Sequence, residues 1–120
     1  MPDAALDRFA AIVEFAAHPP TLRCSGDEDR STQARRRQAL VRAIKARADV
    51  VVDLAELSWA DPSLMVDFAM LARRLRAQGR ALSLRDPQPQ IAALLELVGL
   101  TRLPAVRIER TSPAPVAALA

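Results

Sequence analysis

The stretch that decides the fold is Trp59–Phe68, "WADPSLMVDF", which follows the apolar run "VVVDLAEL" at 50–57 with no glycine between them. The first run is β-branched and nearly continuous, a pattern typical of a strand covered on both faces. Apolar residues then recur at intervals of four, three and four, which predicts an amphipathic helix near 62–78. These residues are Leu64, Phe68, Leu71 and Leu75. A strand therefore passes into a helix through an aspartate, a proline and a serine.

The residue types at this junction suit the start of a helix. Asp61 is a favourable N-cap because its carboxylate accepts from free N–H groups of the first turn. Pro62 suits the first helical position, where a missing N–H costs nothing. Ser63 would then display its hydroxyl beside the positive end of the helix dipole, which tolerates an added phosphate. The residues alone leave two interpretations of Ser63 open, an ordinary first-turn serine and a modifiable hydroxyl.

The remaining pattern predicts an α/β domain. Helices are expected near 31–48 and 88–98, in addition to the one at 62–78. Strands are expected at 21–25, 50–54, 81–84 and 105–109, and the segment 9–17 fits a strand better than a helix. Gly26 and the acidic residues 27–29 should form a turn. The order β-β-α-β-α-β-α-β implies a mixed sheet of four or five strands, with 50–54 at its centre and the helices mainly on one face.

Composition restricts the classes of protein to which this chain can belong. A chain of 120 residues that is 51% hydrophobic and 26% charged fits one soluble globular domain. It has neither a membrane-length apolar run nor a signal-peptide pattern, so we expect a cytoplasmic protein without membrane insertion. Basic residues cluster at 35–47 and 73–80, but acidic residues are interleaved with basic ones along the chain as a whole. This mixture favours solvated helix faces over nucleic-acid binding.

Neither a catalytic nor a metal site is predicted. His18 has no partner motif for a triad, and the lone Cys24 fits a small core residue. Asp53, an acid within a strand, is expected to be a hydrogen-bonded structural residue. We therefore predict a protein that is not an enzyme and holds no cofactor.

The segments together resemble a STAS domain, the fold of anti-sigma factor antagonists. In that family a "vvlDLsgl" strand leads into "fiDSsGl", an amphipathic helix, a "G-r-l-l-n-p" strand and a helix that ends in "GL". The matching segments here are "VVVDLAEL", "WADPSLM", "GRALSLRDP" and "IAALLELVGL", with "SGDED" at the family's "GelD" turn. The resemblance implies a STAS domain at 9–110, an N-terminal extension at 1–8 and a flexible tail at 111–120.

The resemblance also implies a function. It predicts a bacterial interaction module that binds a serine kinase-like anti-sigma factor and is regulated by phosphorylation of Ser63, with a PP2C-type phosphatase as a further partner. The predicted contact residues are Asp61, Pro62, Ser63, Leu64 and Met65. Pro62 replaces the family's first hydroxyl residue and stiffens the turn, and Leu64 replaces its glycine and adds bulk where a kinase would dock. Two alternatives stay open: a STAS subunit of a lipid-trafficking ABC transporter, and a scaffold or sensor without the switch.

Overall fold

The structure is a computed structural model that describes residues 12–17, 19–28 and 33–111. Within these residues, five strands and three α-helices follow one another in the predicted order, and the first segment is a strand. The elements are β1 (Ile12–Ala17), β2 (Pro20–Glu28), α1 (Gln33–Lys45), β3 (Val50–Ala60), α2 (Pro62–Ala77), β4 (Leu82–Arg85), α3 (Pro89–Leu97), a 3₁₀ turn (Leu100–Arg102) and β5 (Val106–Glu109). The predicted α/β fold class is confirmed. The predicted N-terminal extension, His18 and residues 112–120 of the predicted tail lie outside the described residues.

The sheet has the strand order β1-β2-β3-β4-β5, so β3 is central as predicted. β1 and β2 are antiparallel, and every later pair is parallel. Each parallel crossover therefore steps in the same direction across the sheet. Because such crossovers are right-handed, all three helices lie on one face.

Burial along β3 agrees with this one-sided arrangement. Val50, Val52 and Leu54 are fully buried, whereas Val51 and Asp53 between them are only half-buried. The expectation of a strand covered on both faces was therefore wrong for the described part of the chain, whose helices cover one face only. Asp53 accepts a hydrogen bond at Oδ1 from the N–H of Ala55, at 3.1 Å, in keeping with a structural role.

Two strands are longer than the sequence predicts. β3 continues to Ala60, and β2 continues to Glu28 through the residues predicted to form a turn. The pairing between them shifts register between Arg23 and Ser25 and again between Gly26 and Asp27. Gly26 thus lies at an irregularity within a strand, a common position for glycine, and does not close a turn.

The apolar stripe of α2 forms the middle of the core. Its predicted members, Leu64, Phe68, Leu71 and Leu75, are all fully buried. They pack with side chains from the sheet and the other two helices, Leu22, Val52, Leu40 and Leu95 among them. Phe68 is the largest of the fully buried side chains.

A buried arginine joins the end of α2 to the end of α1. Gly79 adopts a φ of +73°, and the chain turns so that the next residue, Arg80, returns to the core. The Arg80 guanidinium donates to the carbonyl oxygens of Ala43, Ile44 and Ala48 at 2.9, 2.8 and 2.6 Å. Burial lowers the pKa of this guanidinium. Ala43 and Ile44 belong to the last turn of α1 and Ala48 follows it, so these bonds tie Arg80 to the C-terminal end of that helix.

We predict that Phe68→Ala lowers the free energy of unfolding by about 3–5 kcal/mol, because it opens a cavity at a fully buried site. Urea denaturation measures the change. Val66→Ala is the matched control, since Val66 lies on the same helix with 67% of its surface exposed. Similar losses in the two variants would contradict the assignment of the core face.

We predict that Arg80→Ala lowers the free energy of unfolding by about 3 kcal/mol, because a hydrogen bond to a charged group contributes about 1.5–3 kcal/mol. Arg80→Lys should recover only part of the loss, since an ammonium lacks the planar fork that reaches separate carbonyls. Arg76→Ala, at an exposed position of α2, is the control. Full recovery by lysine would show that charge alone matters there.

Candidate functional site

The start of α2 is built by its own cap. Asp61 is the N-cap residue, with extended backbone angles of φ −72° and ψ 146°, and Pro62 begins the helix. The Oδ1 atom of Asp61 accepts a hydrogen bond from the N–H of Ser63 at 2.7 Å. The capping predicted from the sequence is confirmed. It fixes the backbone from which the Ser63 side chain projects.

The Ser63 hydroxyl faces α1, where a buried arginine contacts it. Arg36 is 2% exposed, and its Nη2 atom donates to the Ser63 Oγ atom at 2.9 Å. The Nε atom of the same guanidinium lies 2.6 Å from the Oδ2 atom of Asp67. Ser63 and Asp67 are four residues apart, so they lie on the same side of α2. These three residues are called the Arg36 cluster below.

Arg36 was not predicted as a site residue, because all basic residues of 35–47 were expected to form a solvated face. In the structure Arg35 and Arg37 are exposed, while Arg36 between them is buried. Its position carried the signal, since Arg36 precedes the buried Leu40 and Ala43 by four and seven residues. Helical periodicity therefore places Arg36 on the apolar stripe of α1, whatever its charge.

The predicted contact residues differ in their access to a partner. Pro62 is exposed, and Asp61 and Ser63 are half-buried. Leu64 and Met65, however, are 0% and 3% exposed. The expectation that Leu64 adds bulk at the docking surface was wrong, because the third helical position points into the core. Only the first three of these residues present side chains to the surface at the helix start.

An apolar groove runs along the other side of α2. Its volume is about 250 Å³, and it separates the first half of α2 from the turn that follows α3. The lining residues are Pro62, Met65, Val66, Ala69 and Arg73 on one side, and Val98, Gly99, Leu100 and Leu103 on the other. Val66 and Val98 are 67% and 48% exposed. This α2–α3 groove begins at Pro62, next to Ser63, and ends at Arg73.

In the Arg36 cluster, the guanidinium holds the Ser63 hydroxyl in place. Arg36 donates to the Ser63 oxygen, and a guanidinium cannot accept the hydroxyl proton. The contact therefore orients Ser63 without serving as a base toward it. Cys24, the predicted core cysteine, is 2% exposed.

We predict that Asp61→Ala lowers the free energy of unfolding by about 1 kcal/mol through loss of the cap to the Ser63 N–H. Asp61→Asn should lose less, because an amide oxygen caps a helix about as well as a carboxylate. Urea denaturation of both variants gives the comparison. Equal losses would mean that Asp61 acts through its charge.

Comparison with protein-family models matches residues 12–107 to the family described as "Mlab, STAS domain". The match covers β1 to β4 and the three described helices in full, and the first two residues of β5. Comparison with curated proteins gave no match. Within 12–17, 19–28 and 33–111, no helix is long and apolar enough to cross a membrane.

Proposed function

We propose that this chain, which belongs to the STAS domain family, is a protein-interaction module of the anti-sigma factor antagonist type. Its partner would be a serine kinase-like anti-sigma factor, bound through the start of α2 and the α2–α3 groove. The observation that carries the proposal is the exposed apolar groove that begins beside Ser63. In this interpretation the unmodified protein binds the anti-sigma factor and releases the sigma factor.

The composition of the groove supports a protein partner. Val66 and Val98 expose apolar surface on its two walls, and Leu103 extends the apolar lining. Clustered apolar surface of this kind marks interaction sites more often than scattered exposed residues do. Arg73, at the far end, provides a cation that would pair with an acidic residue of the partner. A complementary surface therefore carries an apolar ridge with an acidic group at one end.

The position of Ser63 supports regulation at the edge of this surface. Pro62 lies in the groove, and Ser63 follows it on the side of α2 that faces α1. A phosphate on Ser63 would add a charge of about −1.5 to −2 beside the bound partner. Like-charge repulsion and the cost of desolvating the phosphate would then weaken binding. The helix start would tolerate the anion, so the domain would stay folded.

A second candidate is the STAS subunit of a lipid-trafficking ABC transporter assembly. The observation that favours it is the state of Ser63, which is half-buried and already bonded to Arg36. A hydroxyl held in this way suits a constitutive contact that needs no modification. The same groove would then contact the ATPase subunit of the transporter.

We predict that Val66→Asp weakens binding to the anti-sigma factor about thirtyfold, because a central apolar contact contributes about 2 kcal/mol or more. Isothermal calorimetry with the purified kinase-like protein measures the change. Val41→Asp is the matched control, since Val41 is a 47% exposed valine on α1, outside the groove. Equal affinity of the two variants would contradict docking in the groove. Binding to a transporter ATPase and not to the kinase would select the second candidate.

A further inference from the structure

We propose that Arg36 is the positioning residue of the Ser63 switch. It holds the unmodified hydroxyl and, once Ser63 is phosphorylated, transfers its ionic contact from Asp67 to the phosphate. The inference rests on the proposed function in one respect only, the modification of Ser63. It adds Arg36, on α1, to that switch, together with the exchange of its ionic partner from Asp67 to the phosphate.

The distances show why one guanidinium can serve both states. Arg36 donates through Nη2 to the Ser63 Oγ atom at 2.9 Å, and its Nε atom forms an ion pair with the Asp67 Oδ2 atom at 2.6 Å without an aligned hydrogen bond. Its charge is almost fully buried, so an anionic partner is needed in either state. Asp67 supplies that anion in the unmodified protein.

A phosphate attached to the Ser63 Oγ atom would place its oxygens within reach of the same guanidinium. The planar fork of arginine matches phosphate geometry and binds it through two parallel hydrogen bonds. The phosphate carries about twice the charge of a carboxylate, so it competes favourably with Asp67 for Arg36. The Asp67 side chain, 27% exposed, has access to water and can be solvated after the exchange.

The modification itself is a phosphoryl transfer from a nucleoside triphosphate held by the partner kinase. The Ser63 Oγ atom forms a bond to the γ-phosphorus, and the bond from that phosphorus to the bridging oxygen breaks. The nucleoside diphosphate leaves with the electron pair, and the hydroxyl proton passes to the kinase or to water. Arg36 occupies one acceptor position of the Ser63 oxygen, and a hydroxyl has two. Because a guanidinium only donates to this oxygen, Arg36 takes no part in removing the hydroxyl proton.

The test uses full-length protein with phosphoserine incorporated at position 63 during translation, so it needs neither the kinase nor a partner. A ³¹P NMR titration reports the second pKa of the phosphate, ordinarily about 6. Among the described residues, charged side chains contact the site from Arg36 on α1, Asp67 on α2 and Asp61 at the cap. Arg36 should lower this pKa by about one pH unit relative to phosphoserine placed at the exposed Ser58.

Two variants isolate the exchange. Arg36→Gln should raise the phosphate pKa at position 63 toward its ordinary value and leave that at position 58 unchanged. Asp67→Asn should lower it further, because the competing anion is gone and Arg36 is kept; this variant decides the matter if Arg36→Gln does not fold. Equal pKa values at positions 63 and 58, or no response to Asp67→Asn, would overturn the inference. Failure of the kinase to modify Ser63 would instead overturn the proposed switch and leave this measurement standing.

Discussion

The buried charge of Arg36 constrains how the first two helices meet. A guanidinium stays protonated, so burying it demands polar partners at fixed positions on the neighbouring helix. Ser63 accepts a hydrogen bond from it and Asp67 forms an ion pair with it, both from one side of α2. The contact therefore sets the register of α1 against α2, and the orientation of the Ser63 hydroxyl follows from it. The packing of α1 against α2 therefore places Arg36 beside Ser63, where the proposed switch would use it.

Near the C-terminal ends of α1 and α2, Arg80 forms a different kind of contact. It donates to the backbone carbonyls of Ala43 and Ile44 in α1 and of Ala48 beyond it, and also to the Oε1 atom of Gln78. Three of these four acceptors are backbone carbonyls held in place by the fold, so its role is structural. Arg36 has side-chain partners, whose chemistry can change by modification. The two buried arginines thus illustrate why side-chain contacts, and not backbone contacts, are the ones that can be switched.

Local pattern predicted most of the fold. The spacing of apolar residues gave α2 and its core face, and residue types gave the cap at Asp61, because both depend on neighbours in sequence. Strand ends were less predictable: β2 runs through Gly26 because its pairing with β3 continues. The groove could not be predicted at all, since Val66 and Val98 meet only once β4 and α3 have folded. The burial of Arg36 was predictable from its position in the helical period, but its charge suggested an exposed side chain.

The structure explains how Pro62 and Leu64, which depart from the family pattern, fit at the start of α2. Leu64 fills the core and leaves the surface unchanged, so it does not alter what a partner meets. Pro62 occupies the position where proline needs no N–H, and it fixes one backbone angle of the helix start. A start already held in its folded geometry loses less conformational entropy when a partner docks. In the proposed interface, recognition thus relies on a preformed surface, and any change of state must come from the side chains around Ser63, Arg36 first among them.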